Sequence, residues 1–300
     1  VSATSAIIQQ GGKSTSVFEN NEFTGNDITC VQCEETTLST FSNNTFKENK
    51  SLSVIIVRDA ADPQFSKNKI HNNEFNAIMV QSGAGIFGQN EIYNHHGRVA
   101  VLVTGATSNP QFIGNTFYAN TQGSVHATEN CKGEFSSNKL TAHCQLEKPV
   151  GEQELFALDE SSNNSNNNTS TNVPAVIISK LANPSFANNE FKENKNSSVL
   201  VCAQGRGVFK NNEFSKCNGQ PIVYVRDQGS NPQFLANNFF DFQTCAVYIC
   251  KAGNGTFVQN EFLLGVAKLT HLRAAVVQVT ENGHPKFEKN IFKDCLDLRY

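Results

Sequence analysis

Apolar positions along this chain recur in a short phrase, seen most clearly at Phe209-Lys210-Asn211-Asn212-Glu213-Phe214. Its skeleton is an aromatic residue, two spacers, an Asn, one spacer and a second aromatic or aliphatic residue. The phrase opens at Phe18, Phe41, Phe65, Phe87, Phe112, Phe135, Phe186, Phe209, Phe234, Phe257 and Phe287. The first spacings are 23, 24, 22, 25 and 23 residues. A fixed period of this length is the mark of a solenoid, in which each repeat contacts only its neighbours. Between phrases lie short β-branched runs such as Val54-Ile55-Ile56-Val57 and Ala100-Val101-Leu102-Val103. Runs this short and this branched predict strands. The phrase adds one strand before its Asn and one after it. Three strands per turn, stacked in register, predict an all-β fold: a parallel β-helix of about twelve coils spaced ~4.8 Å apart.

The Asn of each phrase has a physical reason. A tight corner between two strands calls for a left-handed residue, which Asn tolerates, and an Asn stacked on the next Asn can pass amide hydrogen bonds along the rod. The flanking Phe residues then stack inside. A leucine-rich repeat has a similar period, but it needs an apolar strand residue five positions before the Asn. Those positions hold Pro63, Gly85, Pro110, Gly133, Pro184, Gly207, Pro232, Gly255 and Pro285. Alternating Pro and Gly would break such a strand and suit a turn instead. One interval is longer than the rest. It contains an Asn/Ser-rich stretch at about 159–173, expected to be a disordered loop from one degenerate coil around Leu155, Phe156 and Leu158. The chain therefore reads as one domain over residues 1–300, and its strand-like ends suggest excision from a longer protein.

Bulk chemistry narrows the function. A net charge of −3 with dispersed Lys and Arg gives a nucleic-acid partner no electrostatic footing. The apolar runs are too short for a membrane span. Nine cysteines, an odd number, sit mostly in strand-like runs as small packing residues, which favours a reducing, cytoplasmic setting over a secreted one. Cys30 and Cys33 form a lone Cys-x-x-Cys, weak as a metal site without a second pair. No cofactor or metal is expected. Asn-x-Ser/Thr sequons such as Asn168-Thr169-Ser170 arise by chance in so Asn-rich a chain. His95-His96-Gly97 reads as an isolated, solvent-exposed turn.

Alternation in the β-branched runs points Ile55, Val57, Val101 and Val103 inward. The outward column then reads Ile7, Cys30, Ile56, Met79, Leu102, His126, Cys144, Ile177, Leu200, Tyr224, Tyr248 and Gln278. The next outward column includes Gln9, Gln32, Arg58, Gln81, Thr104, Thr128, Ser179, Cys202, Arg226 and Cys250. Neither contains an Asp or Glu, whereas a sugar-cleaving face would want paired carboxylates. Arg58-Asp59 and Arg226-Asp227 read as surface ion pairs. What remains is an apolar stripe, and an exposed strip of that kind marks a binding surface unless another segment covers it. The candidate binding residues are Ile56, Arg58, Met79, Leu102, Leu200, Tyr224, Arg226 and Tyr248; no catalytic residue is identified.

Ser108-Asn109-Pro110-Gln111-Phe112-Ile113-Gly114-Asn115 and Gly85-Ile86-Phe87-Gly88-Gln89-Asn90 carry a resemblance. Alternating Asn-Pro and Gly coils that run into this phrase resemble the right-handed β-helix repeats of the CASH (carbohydrate-binding and sugar-hydrolase) group, with its pectate-lyase-like fold. They are most similar to the β-helix of F-box/CASH ubiquitin-ligase substrate receptors. The resemblance implies a right-handed β-helix that is non-catalytic and recognises a protein partner. The alternatives are a carbohydrate-binding or carbohydrate-cleaving β-helix and a structural spacer.

Overall fold

The computed structural model describes residues 5–12, 14–142, 173–217, 220–242, 244–263 and 275–293. Their strands form three parallel sheets of eleven strands each. In every sheet a strand pairs with its counterpart one coil before and one coil after. Coil 1 comprises Ser5–Gln9, Val17–Glu19 and Glu22–Thr24; coil 11 comprises Val277–Val279, Lys286–Glu288 and Ile291–Lys293. The first, second and third strands of the coils make up the first, second and third sheets. The architecture is the expected parallel β-helix.

The described coils number eleven, not twelve. Phe135 of coil 6 stacks on Phe186 of coil 7 with centroids 4.6 Å apart, and Asn138 N–H donates to Asn189 Oδ1 at 2.9 Å. At that pitch no coil fits between them. The segment around Leu155, Phe156 and Leu158, and the insertion at about 159–173 apart from Val173, lie outside the described residues.

Two stacks hold the coils together. The phrase-opening Phe side chains form an unbroken column from Phe18 to Phe287, with ring centroids between 4.5 and 5.4 Å apart. From Phe41 to Phe257 these rings are buried, each contributing roughly 1.5–3 kcal/mol. Beside them runs the Asn column. Asn44 Oδ1 accepts from the backbone N–H and the side-chain amide of Asn21 at 2.9 and 3.1 Å. Its own Nδ2 donates to Asn68 Oδ1 at 3.1 Å and to the Phe18 carbonyl at 2.9 Å. One side chain thus satisfies a corner of three successive coils, and the link recurs from Asn21 to Asn290.

The left-handed residue of that corner is not the ladder Asn. Positive φ falls one position earlier, at Asn20 (57°), Asn43 (54°), Lys67 (55°), Gln89 (54°) and their equivalents. Those side chains point outward and vary freely. The ladder Asn is required for its amide rather than for its backbone. Gly85 shows why Gly alternates with Pro before the second strand. It has φ of 112°, its N–H donates to Asp62 Oδ1, and a Cβ there would lie 3.2 Å from the Pro63 carbonyl. That carbonyl accepts Ile86 N–H at 2.9 Å, so Gly lets the coil settle onto the Pro below it.

A second, partial ladder runs at the corner between the third and first sheets. Asn26 donates to Asn49 and Asn49 to Asn73 through side-chain amides, each at 2.9 Å. In coil 4 the place is taken by His95, which is fully buried rather than solvent-exposed. Its ring nitrogens lie 3.2 Å from the Phe75 carbonyl and 3.1 Å from the Ile70 carbonyl, and its backbone N–H donates to Asn120 Oδ1. His96 beside it is exposed. Burial pushes the His95 imidazole down to about 4, outweighing the pull of the two carbonyls.

Two outcomes follow. Asn115→Ala strips partners from the backbone N–H and amide of Asn90 and from the Phe87 carbonyl. At about 1–3 kcal/mol per orphaned group, the loss is at least about 3 kcal/mol. Asn21→Ala at the exposed end costs under about 1 kcal/mol; equal urea midpoints for the two variants would contradict the ladder's role. For His95 the folded imidazole titrates near 4 and the unfolded one near 6.5. The unfolded state therefore binds the proton first, and stability falls as pH drops from about 6.5 to about 4, by about 3 kcal/mol from this residue. His126, also held down to about 4, titrates in the same window. His95→Asn, which restores the ladder residue, therefore makes the thermal-midpoint profile there shallower without abolishing it, and an unchanged profile would contradict the His95 contribution.

Candidate functional site

Strand alternation sets the first sheet's faces as the sequence implies. Ile55, Val57, Ile78, Val80, Val101, Val103, Val199 and Val201 point inward with no exposed surface. The outward column runs Ile56, Met79, Leu102, His126, Ile177, Leu200, Tyr224, Tyr248 and Gln278, each paired with the next. Cys144 lies outside the described residues. In the first two coils the register differs from the expected one, by one residue in coil 1 and by two in coil 2. Ile56 pairs with Gln32 and Gln32 with Ile8, so Ile7 and Cys30 do not belong to this column. The reason is that Val31 and Cys33 fill the inward positions held by Ile55 and Val57 in coil 3. A buried Cys there hides the alternation that Ile or Val would reveal.

That shift brings an acid onto the face. Cys33 pairs with Val57, which sets Glu34 rather than Gln32 beside Arg58. The Glu34 side chain is buried, and its Oε1 accepts Arg58 Nε at 2.6 Å, Arg58 Nη2 and Gln32 Nε2. Gln32 Oε1 in turn accepts the Ser5 hydroxyl at 3.1 Å. The expectation that neither outward column holds an acid is therefore corrected. Three donors converge on one carboxylate oxygen, which makes Glu34 the anchor of an ion pair.

The predicted binding residues separate into two groups. Ile56, Arg58, Met79 and Leu102 are partly exposed, as are His126 and Ile177 farther along. Leu200, Tyr224, Arg226 and Tyr248 are only 4–7 % exposed. They do not form an open surface. Leu200, Tyr224 and Tyr248 pack in one cluster with Cys202, Cys245 and Cys250. Tyr224 and Tyr248 stack with centroids 5.3 Å apart. The Tyr224 hydroxyl lies 3.5 Å from Cys250 Sγ, and the Tyr248 hydroxyl 3.1 Å from Thr280 Oγ1. Burial raises both phenols and pushes the Cys245 thiol up to about 12, which keeps these groups protonated. Arg226 Nε sits 3.8 Å from Asp227 Oδ2, but Arg226 is buried, so this is not the surface pair expected. Arg58 and Asp59, 3.6 Å apart, do lie at the surface.

His126 interrupts the apolar column. Its Nε2 lies 3.0 Å from Ser179 Oγ, and Ser179 donates to Thr128 Oγ1 at 3.1 Å. Burial holds the imidazole down to about 4, with Lys180 adding to the effect. Ser179 and Thr128 are both buried. The contact satisfies polar groups under the face and presents no accessible nucleophile. Cys30 and Cys33 are buried, and burial pushes both thiols up to about 12. Three residues apart on a strand, they point to opposite faces and cannot chelate one ion.

Sequence reasoning missed Glu34 and one further feature. His71, Tyr93 and Tyr118 stack on the outside of the third sheet, with centroids 4.7 and 4.5 Å apart. Their recurrence two residues after Lys69, Glu91 and Thr116, at successive third strands, was the available signal.

The geometry accords with one known fold. The A-module of the mannuronan C-5 epimerase AlgE4 of Azotobacter vinelandii superposes with a TM-score of 0.53 at 12% identity, covering 93% of this chain and 87% of that one. QnrB1, a plasmid-mediated fluoroquinolone resistance protein, aligns at 11% identity over 77% of this chain and 83% of that one, with a TM-score of 0.24. A hyper-glycosylated TibA fragment aligns at 7% identity over 96% and 93%, with a TM-score of 0.27. No curated protein sequence matches the chain significantly. The family described as the right-handed β-helix region matches residues 53–201 and 176–297, from coil 3 to coil 11. By that match and by its three-sheet architecture, the chain belongs to the right-handed β-helix family.

Proposed function

We propose that the chain is a non-catalytic recognition domain that binds a protein partner through the outward face of the first sheet, over coils 3 to 5. The observation that carries this reading is the run Ile56, Met79 and Leu102: partly exposed apolar side chains on consecutive rungs. Beside it runs the polar column Arg58, Gln81 and Thr104. An apolar core with a polar rim is the anatomy of a protein interface. Arg58 is held in place by Glu34 yet keeps 41 % of its side chain exposed, which suits a preorganised anchor. The likeness of the Pro and Gly coils to F-box/CASH substrate receptors supports the same direction. Leu200, Tyr224, Arg226 and Tyr248 enter as the packed support of the face rather than as its contacts.

A polysaccharide ligand is the second reading. The epimerase that shares the fold is named for its action on mannuronan. Glu34 gives this reading an outward acid. Its oxygen is already committed to Arg58 and Gln32, however, and proton transfer needs a carboxyl free to reach its substrate.

Affinity capture decides between the readings. Wild type retains a protein partner, whereas Met79→Asp/Leu102→Asp, confirmed β-rich by circular dichroism, loses it at least about tenfold. Tyr224→Phe, at a buried position, retains it. Equal capture by wild type and the double Asp variant would rule out this face. A glycan array that binds wild type without any protein partner would establish the carbohydrate reading instead.

A further inference from the structure

We propose that the partner seated on this face is a second copy of the chain, packed about a two-fold axis at the level of Leu102. The inference rests on the reading that the outward face of the first sheet binds protein, and it adds the identity and register of the partner.

Pitch is the first argument. The partly exposed rungs Ile56, Met79, Leu102, His126 and Ile177 repeat at the inter-strand spacing of ~4.8 Å. An extended peptide advances by about 3.3 Å per residue and places same-face side chains about twice that far apart, so it falls out of step within a few rungs. A second parallel β-helix has the matching pitch by construction. Two such faces can pack like the inner faces of a sandwich, about 10 Å apart.

Charge chooses the register. A two-fold axis in the interface, along the strand direction at Leu102, sets the rods antiparallel and each column opposite its own copy. Coil 3 then faces coil 7, coil 4 faces coil 6, and coil 5 faces itself. Leu102 meets Leu102, and Ile56 meets Ile177. In the turn just past the strand, exposed Asp59 of coil 3 comes opposite exposed Lys180 of coil 7. Exposed Glu129 of coil 6 comes opposite the neutral Ser82. The two-fold repeats each pairing. Moving the axis half a coil toward coil 4 sets Asp59 against Glu129. Moving it to coil 6 sets Glu129 against itself and brings Met79 over the buried Leu200. Like charges across an interface are costly, so these registers are disfavoured. The axis at Leu102 joins the open rungs to one another and pairs opposite charges.

Sedimentation velocity and light scattering on the full chain, over a micromolar concentration series, test this. The expected result is a dimer. Leu102→Asp, which places two carboxylates on the axis, gives a monomer. Asp59→Lys and Lys180→Asp each weaken the dimer at least about tenfold, and the double variant Asp59→Lys/Lys180→Asp restores it. Both charge positions are exposed turn residues, so these variants keep the fold even if Leu102→Asp does not. A wild type that stays monomeric throughout overturns the dimer, while the capture experiment still judges the broader reading on its own readout. A dimer that survives Leu102→Asp, or that the paired charge swap does not restore, overturns the proposed face and register.

Discussion

The side-chain amide of one Asn per coil is the interaction on which this molecule depends. A parallel β-helix must turn a tight corner at every coil, and each corner buries backbone groups that no strand partner reaches. Asn accepts two hydrogen bonds from the coil before and donates to the coil after and to a Phe carbonyl two coils from the latter, as Asn44 does with Asn21, Asn68 and Phe18. Aspartate lacks the donor, and leucine lacks both functions. Once the amides are in register, the Phe rings one sheet position away are in register too, and a packed aromatic column follows from the same constraint.

That repetition makes the exceptions informative. Where His95 takes a ladder position it keeps the third-sheet carbonyl partner of an Asn, here Ile70, adds a contact to the Phe75 carbonyl, and places an ionisable ring in a fully buried site. The fold tolerates it as the neutral form, which ties the stability of coil 4 to pH in a way no Asn would. Where Glu34 takes an outward position it is satisfied by Arg58 one coil on. The same stacking that repeats an amide eleven times places a lone acid directly beside its cation.

The outward face obeys a different economy. Inward positions must be apolar and outward ones are free, so the first sheet's outer columns vary from Ile56 to Gln278 without disturbing the coil. Binding specificity can therefore be written on this face at no cost to the core. Its character changes along the rod: open aliphatic rungs in coils 3 to 5, a polar interruption at His126, and a closed Tyr and Cys cluster in coils 8 to 10.

Sequence alone determined the architecture, because period, alternation and the Phe–Asn phrase are all local and all repeat. Three strands per coil, the inward Ile and Val positions and the Asn column were legible for that reason. It misplaced what depends on comparing one coil with another. The pattern slips by one residue in coil 1 and by two in coil 2, where Cys33, not an aliphatic residue, fills an inward place, and this hides Glu34 from the outward column. The left-handed residue was assigned to the ladder Asn because both sit in one corner, and only backbone angles separate them. An apolar outward residue reads the same whether it is open, like Met79, or enclosed, like Tyr224. Exposure is set by which groups fold over a face, and no local pattern records that. The tertiary structure alone decided which part of the stripe is open and which is enclosed.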